Sequence, residues 1–150
     1  MRIALNFHIS LILGVILMVT SVSGHDLTPY RWKNRILLIF SPDKTDSGYE
    51  AFNKSLEKEI LELRSRDLIV FRIFETSPSF IEDKTLSFKD AKALRNRFRV
   101  SSGRFTVILM GKDGGVKMVR QDQAELQEFL DLIDTMPMRQ QEMREKGQNG

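Results

Sequence analysis

The chain has 150 residues, 41% hydrophobic and 29% charged, and no cysteine. That is one domain's worth of sequence, too apolar for a disordered chain, and it excludes disulfide staples and cysteine chemistry alike. The net charge is +3, from 23 basic and 20 acidic residues, without the concentrated basic face of a dedicated nucleic-acid binder, so no nucleic-acid partner is expected.

In chain order, residues 1–24 read as a signal peptide. Arg2 gives a positive start, residues 9–19 are apolar except for Ser10 and Gly14, and Thr20, Ser21, Val22, Ser23 and Gly24 form a small-residue exit. Cleavage is expected after Ser23 or Gly24. The apolar run is shorter than the roughly 20 residues of a spanning helix, so no stable membrane span is expected after cleavage; an uncleaved anchor is the alternative. The expected location is periplasmic or secreted. The domain is expected over residues 25–139, stabilised by core burial alone.

Arg31, Trp32, Lys33, Asn34 and Arg35 lead into five apolar residues, 36–40, which read as a strand buried on both faces. Ser41, Pro42 and Asp43 end it. Ser47 with Glu50 reads as a capping box. Tyr49, Phe52, Leu56, Ile60 and Leu63 then form one stripe on a helix to about Arg66. Residues 68–74 make a second strand, and residues 76–84, with Pro78, a loop. Ser87 and Asp90 cap a helix presenting Ala91, Leu94 and Phe98.

Residues 105–110 form a third strand. The glycine-rich stretch 111–115 is a tight turn; a phosphate cradle would need those glycines to open a helix. Residues 116–120 return as an antiparallel strand. Asp122 and Glu125 suggest a third cap, before a helix presenting Leu126, Phe129, Leu130 and Ile133. Pro137 interrupts that helix. A polar tail, residues 140–150, is expected to fray or form a loose helix.

The order β-α-β-α-β-β-α predicts an α/β domain with a central four-stranded mixed sheet. The first three strands should be parallel and the last an antiparallel edge. The thioredoxin-like fold is the simplest architecture with this order.

Three blocks carry a resemblance: RILLIFSP at residues 35–42, RNRFRVSSGRFTVILMGKDGGVK at 95–117 and LIDTMPMR at 132–139. Together they resemble the bacterial family of the domain of unknown function numbered 4174, over nearly all of the mature chain. The pair GKDGGVK and IDTMPMR is the specific part. Similar domains occur in vertebrate secreted matrix-associated proteins. The resemblance implies a thioredoxin-like fold and, for those vertebrate proteins, adhesion or matrix binding; for the bacterial members it implies no activity and no cofactor.

Enzymes of that fold place a reactive thiol where the first strand meets the first helix, because a helix N-terminus lowers a thiol pKa. Here Ser41, Pro42 and Asp43 stand at the vacant thiol position, and the stretch 104–106 lacks the proline of the redox fold. Thiol redox activity is therefore excluded. An alternative is an enzyme using Ser41, Asp43, Thr45 or Ser47, although a nucleophilic hydroxyl needs a base and the only histidines are His8 and His25. A new N-terminus at His25, with thioethers from Met136, Met138 and Met143, would be the one route to a copper ligand set. The plainer reading is a flexible histidine and packed methionines, so no metal is assigned.

Arg95, Arg97, Arg99 and Arg104 form a candidate anion-binding cluster, and Arg31, Lys33 and Arg35 a second basic group. A solvated helix end is the competing reading for the first. The function expected is a non-catalytic, exported binding or envelope-associated module. Its partner would be an envelope polyanion or a protein.

Overall fold

The computed structural model describes residues 25–148. The signal-peptide reading, with His8, lies outside them. After a 3-10 turn, Thr28–Tyr30, come β1 (Arg35–Ser41), α1 (Ser47–Lys58), α2 (Ile60–Ser65), β2 (Leu68–Phe74), β3 (Ser79–Ile81), β4 (Lys84–Leu86), α3 (Phe88–Arg97), β5 (Thr106–Met110), β6 (Val116–Gln121), α4 (Leu126–Thr135) and α5 (Pro137–Gln148). Among the described residues, no helix is long and apolar enough to cross a membrane.

The sheet has six strands, in the order β4-β3-β2-β1-β5-β6, not the four expected. The additional pair, β3 and β4, lies mostly in the stretch read as a loop. Its strands are three residues each, too short for alternation to show, and they turn through Glu82 at φ 50°. The expectation of three parallel strands also fails. β1 and β2 are parallel, Arg35 opposite Leu68, but β5 is antiparallel to β1, Phe40 opposite Thr106. The hairpin explains the reversal. It returns the chain to the end where β2 finished, and α3 stays there, with Arg95 donating to the carbonyls of Ser41 and Ile73. The next strand therefore starts beside the end of β1 and runs back.

Central β1 is buried at all seven positions, as a strand covered on both faces must be. Leu37 and Ile39 pack with Phe52, Leu56, Phe129 and Ile133 beneath α1 and α4. Ile36, Leu38 and Phe40 pack with Phe71, Leu94 and Val100 on the α3 side. Two cores on one sheet explain how a chain without cysteine is stabilised: burial is worth about 25 cal/mol per Å² of apolar surface.

Local signals shift at helix ends. Asp46, not Ser47, caps α1, its carboxylate accepting from the Tyr49 amide at 2.9 Å. Ser87 caps α3 as expected, accepting from the Asp90 amide at 3.0 Å. α4 has no side-chain cap: Asp122 sits at φ 65° and pairs with Arg104 instead. The stripe from Tyr49 to Leu63 breaks at Glu59, so α1 and α2 are separate and Ile60 is exposed. Pro137 ends nothing by itself. α4 stops at Thr135, and Pro137 opens α5 from its first position, where a missing N–H costs nothing.

Candidate functional site

Two ends of the sheet compete for the role of site. The first holds the C-terminal ends of β1 and β2, where the fold places a thiol. Ser41 is fully buried, and its hydroxyl donates to the Asp43 carbonyl at 2.9 Å. The Pro42 carbonyl accepts from the amides of Glu75 and Thr76. Asp43 Oδ1 accepts from both the amide and the hydroxyl of Thr45, each at 2.7 Å. Those bonds hold the Asp43 carboxyl below its ordinary range, the Thr45 side-chain bond first. That makes the Thr45–Asp43 pair a turn closure with a weakened base. Ser47 is exposed on the first turn of α1. Lys44 lies over Phe80 at 4.8 Å.

The four candidate arginines go to different partners. Arg95 is 13% exposed, with Nη1 3.0 Å from Glu75 Oε1, an ion contact without hydrogen-bond alignment. Burial pushes its guanidinium below the ordinary value, and Glu75 opposes the shift. Glu75 is also taken by the Ser102 hydroxyl and the Gly103 amide. Arg104 pairs with Asp122 at 2.9 Å. Arg97 and Arg99 are exposed, Arg97 over the Phe98 ring and Arg99 at φ 52°. Arg97 shares a 450 Å³ cleft with Arg31 and the turn residues Gly114 and Gly115.

The second end holds the N-terminal ends of β1 and β2 and the turn between β5 and β6. Here the structure builds a charged network that sequence grouping missed. Arg35, only 1% exposed, sends Nη1 to Glu142 Oε2 at 3.1 Å and Nη2 to Glu142 Oε1 at 3.2 Å. Nη1 also donates to the Arg66 carbonyl at 2.8 Å, while Nε is buried without a partner. Lys112, 9% exposed, places Nζ 2.7 Å from Glu142 Oε1 and 2.8 Å from Asp67 Oδ2. Arg66 and Arg139 converge on Asp134, and Arg139 Nη1 lies 3.7 Å from Glu142. Burial pushes the Glu142 carboxyl up, but hydrogen bonds and charge from Arg35 and Lys112 outweigh it and hold the group below its ordinary range. Asp134 behaves likewise between Arg66 and Arg139.

Beside this network lies a groove of about 640 Å³, lined by Trp32, Leu132, Met136, Pro137 and Met138 together with Arg35 and Lys112. Its size falls in the range of small-molecule sites. Trp32 is 60% exposed and held at φ 65°, its amide donating to the Lys112 carbonyl at 2.6 Å. A bulky residue in left-handed conformation is strained, and strain of this kind gathers at functional sites. Arg31 lies over the Trp32 ring at 5.2 Å. Gly114, at φ 82°, gives the neighbouring turn a left-handed residue at no cost, and Asp113 closes it by accepting from the Gly115 amide and from Lys117. The second basic group is thus divided: Arg35 turns inward, Arg31 stacks, and Lys33 is exposed. His25 lies elsewhere, hydrogen-bonded to Asp90 at 2.6 Å, whereas Met136 and Met138 line the groove.

Comparison with known proteins agrees with this architecture. Solved structures of similar shape include reduced 2-Cys peroxiredoxin from Plasmodium vivax, 17% identical, with TM-score 0.58 over 77% of this chain and 84% of that one. Thioredoxin peroxidase I of Plasmodium yoelii is 19% identical, with TM-score 0.56 over 77% and 79%. At these identities the likeness shows the fold, which is thioredoxin-like, of the peroxiredoxin kind. Coiled-coil domain-containing protein 80 of Danio rerio is 26% identical over 133 residues, 78% of this chain but 15% of that protein's length. Residues 26–142 match the family described as Domain of unknown function (DUF4174), and the chain belongs to that family.

Proposed function

We propose that this is an exported, non-catalytic binding module. Its ligand is taken up in the groove beside Trp32, at the opposite end of the sheet from the vacant thiol position. One observation carries the reading. The stretches 111–117 and 133–139, which lie in different parts of the chain, both contribute to the lining of this groove. Of the lining residues, Thr135, Met138 and Trp32 are exposed, so the two cores do not account for them, whereas Met136 also packs against the core that holds Ile133.

The vacant thiol end supports the non-catalytic half. The Ser41 hydroxyl is committed to a carbonyl and the Asp43 carboxylate to its own turn. Among the described residues no base is hydrogen-bonded to the Ser41 hydroxyl, so the enzyme alternative gains nothing from the geometry. The leader-like residues 1–24 support export, and an envelope component, lipid or protein, is the partner class that follows from it.

The test is retention of material from an envelope extract on three immobilised proteins, identified by mass spectrometry. These are the unchanged residues 25–150, a groove variant with Trp32→Asn and Met138→Ala, and a thiol-end variant with Asp43→Ala and Thr45→Ala. The expected result is a defined ligand kept by the first and third and lost by the second. Retention lost only in the thiol-end variant, or no retention at all, would overturn the reading.

A further inference from the structure

We infer that the groove binds a carboxylate-headed amphiphile, a single-chain fatty-acid-like molecule, and that Glu142 is its built-in competitor. The inference rests on the groove being the binding site. The Glu142 carboxylate occupies a cradle of cations: both guanidinium prongs of Arg35, and Lys112 Nζ at 2.7 Å, with Arg139 at 3.7 Å. Lys112 and Arg139 each have a second carboxylate, Asp67 and Asp134 respectively. Among the described residues Arg35 has no carboxylate partner other than Glu142, and its Nε keeps an unused buried donor. A charge so placed requires an anion at all times.

The anion comes from a weakly attached element. Among its described residues, α5 has no fully buried apolar side chain; Arg139 is its one buried residue. It is attached by polar contacts: Glu142, Arg139 on the Ser65 carbonyl, and Lys146 on the same carbonyl. A helix without an apolar stripe gains little from packing, so a second carboxylate can replace Glu142 while the cradle stays neutralised.

The groove supplies the rest of the ligand's chemistry. Arg35 and Lys112 belong both to the cradle and to the groove lining, so a head group in the cradle places its tail against Trp32, Leu132, Met136 and Pro137. A flexible thioether surface suits an alkyl chain. A peptide would instead require partners for its backbone amides. The polar groups near the turn offer few, because Asp113 and Lys117 are already paired at 2.7 Å.

The experiment is a titration of residues 25–150 with decanoate and with uncharged 1-decanol. The readout is the emission of Trp32, the chain's only tryptophan. The unchanged protein, Glu142→Gln and Lys112→Met are compared, with circular dichroism confirming that each is folded. Decanoate should bind at least tenfold more tightly than decanol. Glu142→Gln should tighten decanoate about tenfold and leave decanol unchanged, and Lys112→Met should remove the preference for the acid. If Lys112→Met does not fold, the Glu142→Gln comparison decides alone. Equal binding of acid and alcohol would overturn the carboxylate inference and leave the groove reading standing. Binding of neither, or competition by a hydrophobic tripeptide acid but not by decanoate, would overturn the inference too; retention from the extract then judges the groove separately.

Discussion

Arg35 and Glu142, 107 residues apart, form a two-pronged ion pair at 3.1 and 3.2 Å that fastens the last helix to the first strand. Removing one partner strands the other charge in a buried place. Glu142→Ala should therefore cost roughly 3 kcal/mol, whereas the double change Arg35→Met with Glu142→Leu should recover most of that loss, since apolar replacement of a whole buried pair is often near neutral. Urea unfolding of the three proteins measures this. A double variant no more stable than the single one would contradict the assignment.

The same pairing makes stability depend on acid. Glu142 and Asp134 are both held below their ordinary values of 4.5 and 3.8, in each case because neighbouring cations outweigh burial. A carboxyl with a depressed folded value contributes fully above its unfolded value, and that contribution is lost as pH falls through the folded one. Unfolding free energy should therefore be flat near neutrality and decline from about pH 4.5 downward. The decline should be shallower in the Arg35→Met, Glu142→Leu variant, which has lost one of the two groups. Identical pH profiles would show that Glu142 does not contribute.

Asp46 and Ser47 offer a test of local reading. Asp46→Ala should cost about 1 kcal/mol through loss of the cap on the Tyr49 amide, and Ser47→Ala a few tenths at most. Thermal unfolding of both variants checks the order; the reverse order would mean that α1 starts one residue later.

Trp32 separates stability from binding. Its ring is mostly exposed and its backbone left-handed, a conformation that asparagine tolerates far better. Trp32→Asn should be neutral to about 1 kcal/mol more stable, yet weaker for any groove ligand. A variant destabilised by more than that would mean that the ring stabilises the fold and is not reserved for a ligand.

Much of the fold was legible because its strands carry their own signal. The five apolar residues after Arg35 can only be a strand covered on both faces, and Ser87 with Asp90 caps α3 where the pattern placed it. What escaped was set by tertiary context. β3 and β4 are three residues each, and β5 reverses only because the hairpin and α3 deliver it at the end of β1. The charged network was hidden for the same reason. Arg35 looks like a member of a surface basic group, and Glu142 like part of a polar tail. No local spacing joins residues whose contact depends on the whole sheet lying between them. The turn at 111–115 and the residues around Pro137 were visible as motifs, but their shared groove was not.

On the proposed function, ligand binds at the groove and not at the vacant thiol position. Amide hydrogen exchange of residues 25–150, with and without the retained ligand, separates the two sites. Added protection is expected at Trp32, at residues 111–117 and at residues 135–138, with no change at residues 41–48. Protection confined to residues 41–48 would contradict it.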